Sequence, residues 1–134
     1  MKHQRTSDRG DAGSPRAERL GRYRRGHTSE IIAAALLLAK GYRILARRHR
    51  TPLGEIDLIA VRGRRLAFVE VKRRNSIGEA EASLTIPQRQ RMRRAADYWL
   101  GRHPRFHDHD IGLDAILVVP RRWPRHLPDV MNLV

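Results

Sequence analysis

The sequence predicts an α/β domain: a mixed sheet flanked by helices, in the order helix, three strands, helix, strand, with a further short strand at the end. Three observations predict it. An Ala, Leu and Ile run from Glu30 to Lys40 has helical composition, and strand-like runs rich in Ile, Val, Leu and Phe follow between residues 42 and 72. A second helical stripe, Met92, Ala95, Ala96 and Trp99, precedes another apolar run from Ile111 to Val119. Helix signals that alternate with strand signals describe a sheet covered by helices. At 134 residues and 40% hydrophobic content, the chain has room for one ordinary domain and a real core.

Residues 1–20 read as a disordered basic arm, rich in Arg, Ser, Gly and Asp with little to bury, and 21–134 as a single domain. Thr28 or Ser29 can cap the first helix and Gly41 ends it. Being apolar on nearly every side, that helix is expected to be buried all round, with Glu30 as its only acid. Tyr42 to Arg48 reads as a strand with one wet face. Glu55 to Val61 and Leu66 to Lys72 are strands joined through Arg62-Gly63-Arg64-Arg65, where a two-residue loop would put glycine at its first central position. Residues 73–84 read as a loop. Thr85-Ile86-Pro87-Gln88 has capping-box form and opens a helix that ends at Gly101. A polar, His-rich loop (102–110) leads to the Ile111–Val119 strand, which contains Asp114, and Leu127 to Val134 forms the last short strand.

The hairpin fixes a register. If Arg62 and Arg65 close the turn, Asp57 lies opposite Glu70 and Glu55 opposite Lys72, all four on one face. Ile56, Leu58, Ala60, Ala67, Val69 and Val71 then form the core face. Opposed carboxylates repel, so Asp57 and Glu70 require a proton, a cationic side chain or a metal between them. A hard divalent cation such as Mg²⁺ is held by a few carboxylate oxygens, waters and substrate phosphates. Lys72 is placed to stabilise a charged phosphate transition state. The residues alone leave a second arrangement open, an ion-pair ladder in which Glu55 meets Lys72 and the other two acids meet arginines.

The formal charge is +14 and the pI about 11.6, which predicts a polyanionic partner, nucleic acid first. All but three of the 28 basic residues are arginines, whose guanidinium forks pair with phosphate; the lysines are Lys2, Lys40 and Lys72. Between Arg19 and Gly78 the only acids are Glu30, Glu55, Asp57 and Glu70. No apolar run approaches the ~20 residues that cross a bilayer, so no membrane partner is expected. Zero cysteines and no export-type leader fit a cytoplasmic protein.

Gly54-Glu55-Ile56-Asp57-Leu58-Ile59-Ala60 followed by Phe68-Val69-Glu70-Val71-Lys72-Arg73 resembles the YraN-like family of endonuclease-like proteins, within the PD-(D/E)XK, restriction-endonuclease-like nuclease superfamily. Gly41 to Arg47, the helix from Thr85 to Ala96 and the strand Asp114 to Val119 extend the likeness over roughly residues 21–134. The resemblance implies a restriction-endonuclease-like core and a nucleic-acid-binding protein with metal-dependent phosphodiester hydrolysis. It implies Asp57, Glu70 and Lys72 as catalytic residues, Asp57 and Glu70 as ligands of Mg²⁺ or Mn²⁺, and Glu30 as an indirect ligand. Glu55 and Gln88 would support them; the family more often has Lys where Gln88 stands. Ser29 replaces a glycine and Arg48 an asparagine of the family pattern. The basic residues expected at DNA or RNA are Arg47, Arg48, Arg73, Arg74, Arg89 and Arg93. A non-catalytic nucleic-acid-binding module on the same fold is the alternative. With no separate specificity domain, selectivity would come from a homodimer or a protein partner.

Other signals carry less. His103, His107 and His109, with Asp108 and Asp110, read as a solvated or phosphate-facing loop rather than a zinc site. Trp99 and Trp123 read as packing residues, and Asp114 as a buried hydrogen-bonding group as readily as a functional one.

Overall fold

The computed structural model describes residues 15–132. Its elements are α1 (Pro15–Ala39), β1 (Arg43–Thr51), β2 (Gly54–Arg62), β3 (Arg65–Arg73), α2 (Ile77–Ala82), α3 (Ile86–Gly101), β4 (Asp110–Val118) and β5 (Arg125–Leu127). They form one five-stranded mixed sheet of order β1-β2-β3-β4-β5. Only the β3–β4 pair is parallel; the stretch bearing α2 and α3 makes the crossover that parallel neighbours require. The architecture is α/β with a restriction-endonuclease-like core.

Both faces of the sheet are covered. On one, α3 lays Met92, Ala95, Ala96 and Trp99 over Ile56, Ile59, Leu66, Phe68 and Leu117. On the other, α1 places Ala33, Ala34 and Leu37 against Leu58, Ala60, Ala67, Val69 and Ile116. The β2 face that carries Glu55 and Asp57 is therefore packed as well, because Ile59 and Val61 continue it under α3. α1 also differs from expectation. It begins at Pro15, so Thr28 and Ser29 lie inside it rather than at its start, and from Ile31 to Ala39 one stripe is buried while Ile31 and Leu38 are exposed. A long helix beside a sheet can bury just the side it turns to the strands. Residues 1–14 of the expected arm lie outside the described residues, while 15–20 belong to α1.

Local chemistry explains most boundaries. Gly63 stands at φ 58°, a left-handed conformation that glycine adopts without steric cost, at the first central position of the β2–β3 turn. Thr85 caps α3 by accepting from the Gln88 backbone N–H at 3.4 Å. Within the expected 73–84 loop, α2 forms because Ser76 accepts from Glu79 N–H (3.1 Å) and Glu79 Oε2 from Asn75 N–H (3.2 Å). That capping box was legible as Ser76-x-x-Glu79. β5 falls at Arg125–Leu127 rather than Leu127–Val134, since His126 is drawn to Asp114. Among the described residues, no helix is long and apolar enough to cross a membrane.

Asp114 is fully buried and anchors β3, β4 and β5. Arg65 donates to both its oxygens (2.8 and 2.9 Å), His126 Nε2 donates at 2.8 Å, and the Asp129 N–H at 2.8 Å. Burial pushes this carboxyl up, but the bonds from Arg65, His126 and Asp129 outweigh it and hold Asp114 at about 2. Gly112 makes room: a Cβ there would stand 2.3 Å from Arg65 Nη2. Asp114→Ala would leave the half-buried Arg65 to Asp129 and Tyr42 and take the carboxylate from the His126 imidazole, and is expected to cost about 3–5 kcal/mol. Urea denaturation checks this; a loss below about 1 kcal/mol would contradict the anchoring role.

Candidate active site

β2 and β3 pair in the expected register from Arg62 with Arg65 to Leu58 with Val69, and there the ladder stops. β2 continues along β1 to Thr51 opposite Gly54, while β3 continues along β4 to Arg73 opposite Val118. The two strands splay. Asp57 bridges the gap, its Oδ2 accepting from the Val71 N–H at 2.8 Å. Asp57 and Glu70 are thus brought together, but Glu55 does not face Lys72. The twist at Asp57 also sends Ile56 into the α3 side of the core and Leu58 into the α1 side, although sequence alternation puts them on one face.

The side chains make an ordered row. Lys72, buried, sets its Nζ 3.3 Å from Glu70 Oε1. Glu70 shares a hydrogen bond with Asp57. Burial, then the charge and hydrogen bond of Glu70, push the Asp57 carboxyl up to about 8, against the pull of the Val71 N–H. A carboxyl raised in this way keeps its proton to higher pH than a free aspartate, which relieves its repulsion from Glu70. The expected ladder forms only in part: Lys72 meets Glu70, Glu55 meets Arg50 at 3.4 Å, and no arginine pairs with Asp57 among the described residues.

Glu30 reaches the site from α1, buried, and its charge adds to the upward push on Asp57. Its Oε2 lies 2.8 Å from Arg48 Nε, while Oε1 is buried with no hydrogen-bond partner. Burial raises its own pKa and the Arg48 charge opposes that. Arg48, expected to face nucleic acid, sets its Nε 2.8 Å from Glu30 with its side chain 34% exposed, on a left-handed backbone at φ 50°.

α3 closes the site. Gln88 and Arg91 join Glu55, Ile56, Val69, Glu70 and Met92 around a small pocket of about 30 Å³, and Gln88 Oε1 is buried there without a partner. Arg91 was not singled out from sequence; its signal is the helical spacing from Gln88 that also places Met92. Arg47 is exposed on β1 and Arg73 half-buried at the end of β3, Arg74 donates to the Arg73 carbonyl at 2.8 Å, and Arg89 is half-buried. Arg93 turns elsewhere, pairing with Asp97 at 3.4 Å beside Ile111 and Asn132.

The donor set fits one mode of metal binding. Among the described residues, no group of three or more His, Cys, Asp or Glu side chains could hold a metal ion. Asp57 and Glu70 are two adjacent carboxyl groups, the small protein contribution that Mg²⁺ completes with waters and phosphate oxygens. His103, His107 and His109 do not converge: they bond to the Trp99 carbonyl, the Leu100 carbonyl and Asp108.

The sequence profile of the family described as "Uncharacterised protein family UPF0102" matches residues 29–118, a stretch that holds all of these acids, Gln88 and Arg91. The chain belongs to the UPF0102 family. A UPF0102 protein of Parvibaculum lavamentivorans is 52% identical over 124 residues, covering 87% of this chain and 92% of that one. One from Rhodopseudomonas palustris is 51% identical over 111 residues (83% and 82%), and one from Chelativorans 48% over 115 (86% and 93%). The YraN-like likeness of the GEIDLIA and FVEVK segments is accordingly a true family relationship.

The raised Asp57 carries a stability signature for this UPF0102 protein. In the folded chain it keeps a proton that the unfolded chain, with a carboxyl near 3.8, has lost. Between about pH 4 and pH 8 the native state binds more protons, so stability falls as pH rises. Thermal melts in chelator should show this slope, and Asp57→Asn should flatten it. An Asp57→Asn slope equal to wild type would contradict the raised carboxyl.

Proposed function

We propose that this protein binds nucleic acid and hydrolyses phosphodiesters in a divalent-cation-dependent reaction, acting in the cytoplasm. The observation that carries the reading is the row Asp57–Glu70–Lys72: Asp57 held by the Val71 N–H beside Glu70 in a splayed strand gap, with the buried Lys72 Nζ 3.3 Å from Glu70. Asp57 and Glu70 would hold Mg²⁺ or Mn²⁺, and the partnerless Oε1 of Glu30 is the atom for an indirect contact through water. When bound, the cation would supply positive charge beside a scissile phosphate.

The chain's own residues do the rest. Lys72, aimed by Glu70, offsets the negative charge that builds on phosphoryl oxygens in the transition state. Its burial matters because a fixed charge in a site poor in water acts more strongly than one in solvent. Gln88 and Arg91 at the head of α3 orient the phosphate neighbouring the reacting one. Arg47, Arg73, Arg74 and Arg89 furnish the sequence-independent attraction to the backbone, which salt weakens.

A specific observation favours the second reading, a binding module without catalysis. Glu30 is committed to Arg48, and no three-ligand group exists among the described residues. Incubation with Mg²⁺ or Mn²⁺ on single- and double-stranded DNA and RNA separates the two. Cleavage is expected, lost in chelator and reduced at least about 100-fold in Asp57→Ala and Lys72→Ala. Mn²⁺ should also raise the melting temperature of wild type but not of Glu70→Gln. Salt-sensitive binding that ignores metal, with no cleavage of any substrate, would establish the module instead.

A further inference from the structure

The loop between β4 and β5 holds Trp123, which the sequence suggested as a packing residue and which is 91% exposed. Around it, Ile77, Arg121, Arg122, Pro124 and Arg125 line a cleft of about 490 Å³. Arg121, Arg122 and Arg125 are exposed, and among the described residues none of them pairs with a carboxylate. Arg121 stands at φ 66°, a left-handed conformation costly for a side chain with Cβ, in a segment with little packing to enforce it. A large indole in water among unpaired guanidinium groups stabilises nothing within the fold.

Its place in the sheet is informative. β3 and β4 run parallel with Arg73 beside Val118, so the loop leaves the same sheet end that carries Lys72. The Arg74 N–H donates to the Val118 carbonyl at 3.3 Å, which ties the base of the loop to the basic end of β3.

We infer that this loop is a base-stacking site for single-stranded nucleic acid: Trp123 takes the face of an unpaired base while Arg121, Arg122 and Arg125 hold the flanking phosphates. An unpaired base offers a π-face to an aromatic ring whatever its identity, and the backbone beside it supplies the negative charge. In a duplex both faces are already stacked, so the site favours single strands, overhangs or flaps. An acidic protein surface would meet the arginines but give the indole no partner. The inference rests on the nucleic-acid reading above and names the form of the substrate.

The test is fluorescence binding of the full chain in chelator, which removes cleavage from the measurement. The probes are oligothymidylate, oligouridylate, a blunt DNA duplex and heparin, a polyanion without bases. Both single strands should quench indole emission through Trp123, since Trp99 is 4% exposed. Trp123→Ala should weaken their binding by about 5- to 150-fold and Trp123→Phe should restore most of it. Duplex and heparin affinity should hardly change. The ratio of the two single-strand affinities assigns DNA or RNA as occupant. Equal single-strand affinity for wild type and Trp123→Ala, or an equal loss for heparin, overturns the stacking site alone. A wild type that binds no nucleic acid overturns the functional reading with it.

Discussion

The site depends on one strand separation and the hydrogen bond that spans it. Two antiparallel strands normally satisfy each other's backbone to their ends, and a buried N–H without a partner is costly. Here β2 and β3 part after Leu58 and Val69, each following a different neighbour. The Val71 N–H, left facing a gap, finds the Asp57 carboxylate. That bond pins Asp57 beside Glu70 and away from bulk water. The raised proton affinity of Asp57 follows from its burial beside Glu70, against the pull of that bond.

Charge is arranged around that point with few carboxylates. Arg48 takes one oxygen of Glu30, Lys72 takes Glu70, and a proton serves Asp57, so three acids coexist in a small volume without an equal number of cations. The compensation is incomplete, since Glu30 Oε1 and Gln88 Oε1 are buried and unpartnered. Native proteins retain such groups rarely, and mostly where function demands them. On β4, in register with Val69, Asp114 shows the contrasting outcome: four donors satisfy one carboxylate, which stays ionised and holds strands together. Two buried aspartates on adjacent ladders differ because one meets donors and the other meets a second acid.

Much of this was legible in order along the chain. Gly63, Thr85 and the Met92–Trp99 stripe act through local geometry, so the turn, the α3 cap and its buried face can be read from spacing. The register through Leu58 and Val69 follows from the turn alone. α2 was equally local and its Ser76–Glu79 box went unread. Other features had no local signal. That Ile56 and Leu58 bury on opposite faces, that Arg48 serves Glu30, and that His126 pulls β5 forward each reflect partners distant in sequence.

By itself, then, the sequence determined the fold class, the family and the identity of the charged residues near the site, because period, turn chemistry and motif spacing are properties of neighbours in the chain. Tertiary structure alone decided the rest: the splay of β2 from β3, the raised carboxyl of Asp57, the pairing of Arg48 with Glu30 and the exposure of Trp123. Each depends on which groups are left without partners once the strands have chosen theirs. That competition is settled across the sheet, where spacing along the chain has no reach.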